Sequence, residues 1–228
     1  MPSAKAAKNP RPTLVCMVGI DGAGKSTLAK GLVTIMEEHG TRCKYVWGGF
    51  TSSFTIFKPL VAVMKASVFR GNRFMQQSST KGTVLRSSAL STVYQHLALL
   101  DYIFQGFVRI RVPLHLGTSV ICDRYIYDLT TSIGVLLDYP LDRTLGLLDR
   151  CLRFLPDPDL VFLIDLPEAI AYERKDDTIS LDSLSVRRAT YLEMAKRHPM
   201  IVLDGSREPK ELAQIVAAEV LQHMVGDR

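Results

Sequence analysis

Apolar residues in this chain gather in short unbroken runs, and between the runs they recur at helical spacing. Thr13 to Val18 is one such run and predicts a buried strand. A glycine-rich turn follows. Leu28, Leu32, Ile35 and Met36 then mark one face of a helix from Lys25 to His39, closed by Gly40. Cys43 to Trp47 predicts a second strand and Pro59 to Phe69 a helix. Leu85 to Gln105 predicts a longer helix, with Leu90, Val93, Leu97, Leu100 and Phe104 along one side. Further strands are expected at Thr118 to Cys122, Leu160 to Ile164 and Met200 to Leu203. Leu129 to Leu155 is helical in pattern with a break at Pro140, and Pro167 to Glu173, Ser185 to Arg197 and Pro209 to Met224 are further helices. Short apolar strands alternating with helices imply an α/β fold, a five-stranded parallel sheet with helices on both faces. Neither a repeat nor a second domain boundary interrupts it, so one domain is expected over residues 13–228.

The 228 residues are 47% hydrophobic and 22% charged, which excludes an intrinsically disordered protein and suffices for a core. Residues 1–12 hold Lys5, Lys8 and Arg11 among small residues and prolines, with no apolar stretch before the first strand. They read as a flexible basic tail rather than a secretory signal. Lys58 and Lys65 interrupt the most hydrophobic stretch, so no run reaches transmembrane length and a cytoplasmic protein is the expectation. Cys16, Cys43, Cys122 and Cys151 are scattered without a C-x-x-C, which points away from a disulfide scaffold or a zinc site.

Charge changes the picture through its placement. The 28 basic and 23 acidic residues give a net +5, which admits polyanions, phosphorylated ligands and acidic membrane surfaces. His39 to Leu100 contains no Asp or Glu but eight bases, Arg42, Lys44, Lys58, Lys65, Arg70, Arg73, Lys81 and Arg86. These are too widely spread, with too few interleaved aromatics, for a nucleic-acid site, and nucleic acid is not an expected partner. Within this segment Ile56 to Arg70 reads as a core or dimer helix whose lysines reach solvent. Peripheral contact with an acidic membrane is the less favoured alternative.

The chemistry begins at Gly19-Ile-Asp-Gly-Ala-Gly24-Lys25-Ser26, which fits G-x-x-x-x-G-K-[ST] between a strand and a helix, as phosphate binding requires. In such a loop, backbone N–H groups turn inward around phosphates at the positive end of the helix. Gly19, Asp21, Gly22, Ala23, Gly24, Lys25, Ser26 and Thr27 are therefore candidate ATP-binding residues. Lys25 is expected to reach the transferring phosphate, and Ser26 to bind Mg2+. A second candidate group is Asp123-Arg124-Tyr125 at the end of an apolar strand, because ligands of open α/β sheets bind at the carboxyl ends of strands. Asp123 suits the Mg2+ shell and Arg124 can fork onto a phosphate. Asp165 reads as a turn or helix-cap acid, with metal ligation as the competing reading.

These residues resemble the thymidylate kinase family of P-loop nucleoside monophosphate kinases. The resemblance rests on Gly19-Ile-Asp-Gly-Ala-Gly-Lys-Ser-Thr27, on Asp123-Arg124-Tyr125, and on Leu163-Ile-Asp-Leu-Pro-Glu168 running to Glu173-Arg174-Lys175. Arg188-Ala-Thr-Tyr-Leu-Glu-Met-Ala195 and Ile201-Val-Leu-Asp-Gly-Ser206 complete the ordered set, and only the middle of the chain is unmatched. It implies the three-layer P-loop NTPase sandwich with a short lid near residues 168–186, Mg2+ with ATP as phosphoryl donor, and transfer to a nucleoside monophosphate, dTMP to dTDP first. By the same resemblance Asp21 would face the sugar hydroxyl of the acceptor, and Arg124, with Tyr125 beside it, would grip its phosphate. Arg174 would stand at the lid entrance, so that Lys25, Arg124 and Arg174 are the expected catalytic residues. Asp204-Gly205-Ser206 would pass the adenine ring, adding Asp204 and Ser206 to the ATP site. Gly22 holds a place where some members carry a catalytic arginine, so Arg174, Arg187 or Arg188 would supply that charge. A homodimer built on the helix at 85–105 is implied by analogy.

The acceptor side departs from the family pattern. Trp47-Gly-Gly-Phe-Thr-Ser-Ser stands where members carry Arg-Glu-Pro-Gly-Gly-Thr, and Val18 replaces an acid. Asp128 replaces a serine, and Thr131-Ser132-Ile133 lacks the Tyr-Gln pair of the thymine pocket. The phosphorylated small-molecule acceptor is therefore open, with a nucleoside, a sugar phosphate or a lipid-linked precursor as alternatives on the same scaffold. A nucleotide-dependent switch is the reading of a different class, opposed by the lack of N-K-x-D and of a D-x-x-G after a strand. Transfer to a phosphate oxygen needs cations and a closed site but no dedicated general base, which fits five scattered histidines.

Overall fold

The computed structural model describes residues 11–49, 89–174 and 180–226. Five parallel strands form one sheet in the order β2-β3-β1-β4-β5: β1 (Leu14–Val18), β2 (Cys43–Trp47), β3 (Ser119–Asp123), β4 (Leu160–Asp165) and β5 (Ile201–Asp204). Every residue of β1 and β3 is buried, as strands covered on both faces must be. This is the α/β architecture of a P-loop kinase. Register then positions the chemistry. Asp123 lies opposite Met17 of β1 on one side and opposite Trp47 of β2 on the other. The carboxyl ends of β1 and β3 therefore finish side by side, and the loops that leave them share one crevice.

The helices described are α1 (Lys25–Glu38), α2 (Ala89–Gly106), α3 (Val112–His115), α4 (Ile126–Leu136), α5 (Leu141–Leu152), α6 (Glu168–Glu173), α7 (Leu181–Arg197) and α8 (Pro209–Gly226). In α1 the buried set is Leu28, Ala29, Leu32 and Met36, a stripe at i, i+4 spacing, and the helix packs on the sheet and on α8. Full burial of each large member is worth roughly 1.5–3 kcal/mol. The helix stops where Gly40 takes φ +74 and the Thr41 N–H donates to the Met36 carbonyl at 3.0 Å. On another part of the sheet α4 packs against α5 and α7.

Three expectations change. Helix α7 begins at Leu181 rather than Ser185, where the Ser180 hydroxyl caps it by accepting from the Ser183 N–H at 3.2 Å. The helix read from Leu129 begins three residues earlier, at Ile126, because Ile126, Tyr127 and Asp128 are all buried as the chain turns off β3. Buried positions on every side carry no periodic signal. Residues 107–115, unassigned from sequence, are helical: a π-helical turn at Phe107–Arg111 runs directly into α3. Pro113 lacks the N–H that an α-helical ladder would need at that position, and the widened turn accommodates it. Pro140 breaks the 129–155 region as read and caps α5. The helix expected at 59–69, residues 1–10 of the tail, most of the acid-free segment and residues 175–179 of the lid lie outside the described residues. Among the described residues no helix is long and apolar enough to cross a membrane.

Helices α4 and α5 meet closely at Gly134, where an added Cβ would stand 2.5 Å from Thr144 Oγ1 and 3.0 Å from its Cγ2. Gly134→Val is expected to push the helices apart and lower stability by about 1–3 kcal/mol. Thermal unfolding measures this; an unchanged midpoint would mean that the contact yields without cost.

Candidate functional site

The loop after β1 wraps around Lys25. This side chain is 4% exposed, and its Nζ donates to the Ile20 carbonyl at 2.5 Å. Burial, then Arg124, lowers its pKa from 10.5 to about 8 against the opposing pull of Asp128, Asp21 and Asp123. At neutral pH the folded chain therefore holds a buried ammonium with few partners, next to backbone N–H groups at the start of α1. An anion is what that environment lacks.

Arg124 is the centre of the neighbouring cluster. Its Nη2 pairs with Asp21 of the phosphate loop, and its Nη1 donates to Asp128 Oδ1 of α4 at 2.6 Å. Tyr191 of α7 donates its hydroxyl to the same Asp128 oxygen at 3.1 Å, from a fully buried position. Arg124 has φ +71, a left-handed conformation uncommon for a side-chain-bearing residue, and its N–H is tied to the Met17 carbonyl at 2.9 Å. Desolvation works against the charged guanidinium, but Asp128 and Asp21 outweigh it and hold its pKa above the ordinary arginine range. The cation is fixed and aimed before any ligand arrives.

Asp123, at the end of β3, is 0% exposed. Its Oδ2 accepts the Tyr45 hydroxyl at 2.8 Å, while Oδ1 is buried without a hydrogen-bond partner. A buried acceptor left unmade costs about 1–3 kcal/mol and more for a charged group. The Ser26 side chain also acts on the Tyr45 hydroxyl, so both Ser26 and Asp123 lie close to that phenol. A carboxylate oxygen in need of a cation, close to a hydroxyl at the phosphate loop, fits Mg2+, which favours a few protein oxygens shared with phosphate.

On the other side of the loop lies a cavity of about 340 Å³. Gly22, Ala23, Gly24, Thr27 and Arg174 line one part of it, and the turn from Gly205 to Pro209 lines another. Asp204 does not line it. Its Oδ1 accepts from the Ser206 N–H at 3.0 Å and the Ser206 hydroxyl at 2.6 Å, and those bonds hold the carboxyl below its usual range. It shapes the turn that carries Ser206 to the cavity.

A comparison with known proteins bears on what this arrangement is. A protein of Pyrococcus abyssi, named as a probable thymidylate kinase, is 26% identical over 227 residues, covering 95% of this chain and 99% of its own. A probable thymidylate kinase of Sulfurisphaera tokodaii is 26% identical over 209 residues, covering 89% and 93%. The thymidylate kinase of Xanthomonas campestris is 32% identical over 160 residues, covering 69% of this chain and 58% of its own. No family model matches.

The chain belongs to the thymidylate kinase family.

Within that family the loop glycine that some members replace by arginine has a local reason here to be glycine. Gly22 has φ +87, and a Cβ on it would meet the Ala171 carbonyl oxygen of α6 at 2.5 Å. Of the three arginines open to supply the missing charge, Arg174 lines the cavity. Arg188 is committed elsewhere: it forks onto Asp165 at 2.7 and 3.1 Å and reaches Glu168 at 3.0 Å. That fork makes Asp165 a structural anion joining β4 to α7, although it shares the end of β4 with the turn at Gly205. Arg187 donates to Ser132 Oγ at 3.0 Å and keeps a buried Nε without a partner. Tyr125 is not brought to the site. It is 0% exposed, and its hydroxyl donates to the Pro156 carbonyl at 2.8 Å, so it is a core residue, contrary to the expectation of acceptor contact. Tyr45, Asp128 and Tyr191 are members of the cluster that sequence reading did not assign to it. For Asp128 a signal existed, an acid in place of the family serine, whereas Tyr45 and Tyr191 sit in apolar surroundings like any core aromatic.

The lowered Lys25 pKa carries a stability consequence with a definite sign. Between about pH 8 and 10.5 the unfolded chain keeps the lysine proton and the folded chain has lost it, so stability rises with pH through that window. Below pH 8 the buried charge costs the ligand-free fold roughly 3 kcal/mol. Lys25→Met is therefore expected to raise the ligand-free melting temperature at pH 7, with the gain shrinking towards pH 10.5. A variant that melts lower than the parent at pH 7 would contradict this.

Proposed function

We propose that this protein transfers the terminal phosphoryl group of Mg-ATP to a nucleoside monophosphate, with dTMP the first candidate. The observation that carries the reading is the juxtaposition of Lys25 and the Asp21–Arg124 pair at one crevice, with the 340 Å³ cavity opening beside the same loop. Phosphoryl transfer between two anions is limited by repulsion and alignment, so cations fixed in place are the chief catalytic need. Loop N–H groups and Lys25 bind the donor phosphates. Gly22 to Thr27, Arg174 and Ser206 enclose the donor's nucleoside end. Arg124 holds the acceptor phosphate in line, releasing part of its bond to Asp21, and Asp21 is left to accept a sugar hydroxyl. Ser26 and Asp123 would hold Mg2+, whose role when bound is to neutralise charge on the phosphate oxygens. Residues 13–228 act as one domain in this reading, with Arg174 at the start of its lid.

A second reading keeps the donor and the scaffold and changes the acceptor. Its warrant is that Ser132, in the stretch that lacks the Tyr-Gln pair of the base pocket, accepts from Arg187, and that Asp128 takes a guanidinium N–H where the resemblance implies serine. An ADP-release assay with dTMP, other deoxynucleoside monophosphates, nucleosides and sugar phosphates separates the two, with Lys25→Ala as the blank. Turnover with dTMP above that blank is expected. Turnover with a different acceptor alone selects the second reading, and no acceleration by any acceptor overturns both. Arg124→Lys, which keeps the charge but loses the fork, is expected to lower kcat/KM for the acceptor by about 10–100-fold, the worth of one charge-assisted hydrogen bond.

The reading includes a homodimer. Leu100, Phe104, Phe107, Val108, Val112 and Leu116 recur at helical spacing from α2 through α3 and are each 39–72% exposed. An apolar strip of that length suits a second copy of the chain. Light scattering is expected to give twice the monomer mass, and Phe104→Glu with Val108→Glu the monomer mass. A monomeric parent would remove the homodimer and leave the catalytic reading untouched.

A further inference from the structure

Tyr45 lies on β2, within a strand whose other residues serve the sheet. Trp47, two residues on, is opposite Asp123 in the β2–β3 ladder, and side chains two apart on a strand share a face. Tyr45 thus reaches along the ladder to the Asp123 carboxylate. Three observations meet at its hydroxyl. It donates to Asp123 Oδ2 at 2.8 Å. The other oxygen of that carboxylate is fully buried and lacks a partner. The Ser26 side chain interacts with the same phenol oxygen.

A carboxylate buried among apolar strands is free to turn about its last bond unless something holds it, and a turned carboxylate presents its oxygens in the wrong place. Groups that hold a metal ligand are worth as much to affinity as many direct contacts, typically 10–100-fold. The Tyr45 ring is itself held, between its strand and Lys30 of α1, whose Nζ stands 5.8 Å from the ring centroid.

We propose that Tyr45 is a positioning residue for the metal site: its hydroxyl clamps Asp123 Oδ2 and keeps Oδ1 available for a divalent cation. The phenol never touches nucleotide or metal in this scheme. It acts through Asp123. The inference rests on the reading that Ser26 and Asp123 hold the Mg2+ of the nucleotide complex, and the test separates the two.

The full chain is loaded with a non-hydrolysable ATP analogue, and Mn2+ binding is followed by electron paramagnetic resonance in the parent, Tyr45→Phe and Asp123→Asn. Analogue affinity in EDTA is measured alongside. Tyr45→Phe keeps the ring and its packing and removes only the hydroxyl. The expected result is a 10–100-fold loss of Mn2+ affinity in Tyr45→Phe, a loss at least as large in Asp123→Asn, and unchanged metal-free nucleotide affinity in Tyr45→Phe. If Asp123→Asn weakens Mn2+ and Tyr45→Phe does not, the positioning role is wrong and the metal reading stands. If Tyr45→Phe weakens nucleotide binding equally with and without metal, the residue is merely structural and the proposal fails. If Asp123→Asn binds Mn2+ like the parent, the metal reading itself fails and takes the inference with it.

Discussion

Arg124 ties the phosphate loop to α4, and the shape of both depends on that single cation. Asp21 comes from the loop after β1 and Asp128 from the first turn after β3, so their shared guanidinium joins the ends of two neighbouring strands. Tyr191 brings α7 to the same point. Buried ion pairs are weak sources of net stability, because desolvation consumes most of the attraction. The left-handed backbone at Arg124 adds a cost of order 1–3 kcal/mol. What the cluster contributes is direction: a side chain with several free torsions is pinned at both ends of its fork, facing the crevice where Lys25 also lies.

The same crevice holds two groups that the ligand-free fold satisfies poorly. Lys25 is a buried ammonium with a lowered pKa, and Asp123 has an orphaned oxygen. Each deficit has a definite sign. The ammonium lacks an anion, the carboxylate lacks a cation, and both lie next to an anion-binding helix start. A metal–phosphate ligand meets both needs at once, which is why one polyanionic nucleotide suits the site better than separate ions. At the other end of β1, by contrast, Asp159 accepts the Leu14 N–H at 2.7 Å.

Most of the fold was legible because its signals are local. The strands other than β2, which Lys44 interrupts, are apolar runs bounded by turn residues, and Gly40 and Pro140 punctuate α1 and α5 as their chemistry requires. Periodicity failed where burial is all-round, at Ile126 to Asp128, and where Pro113 suggests a break but a π-helical turn carries the helix across it. The phosphate loop and the Asp123-Arg124 dipeptide were legible as motifs. Tyr125 was misjudged because adjacency to Arg124 in sequence says nothing of direction: one side chain faces the crevice and its neighbour the core. Tyr45 and Tyr191 were invisible for the opposite reason. Each contributes a single hydroxyl from an element far away in sequence, 78 residues from Asp123 in one case and 63 from Asp128 in the other, and each otherwise behaves as packing.

The two sides of the crevice are built from different material, and that explains where the family resemblance holds and where it stops. The side proposed for the donor is made largely of backbone. Loop N–H groups, Gly22 pressed against the Ala171 carbonyl, and Gly205, whose N–H donates to the Asp165 carbonyl at 2.7 Å, leave almost no position where a side chain can change without moving the chain. The side proposed for the acceptor is made of side chains on α4 and α7. Asp128, Ser132, Arg187 and Tyr191 project from helices whose backbones need not move when those residues are exchanged. In the proposed reading Asp128 stands where the resemblance implies a serine, its charge matched by Arg124, and Ser132 accepts from Arg187 in the stretch that lacks the Tyr-Gln pair. Such exchanges would alter what is recognised while leaving Lys25, Arg124 and the loop where they are. That reading therefore rests chemistry on backbone that cannot easily move and selectivity on side chains that can be exchanged.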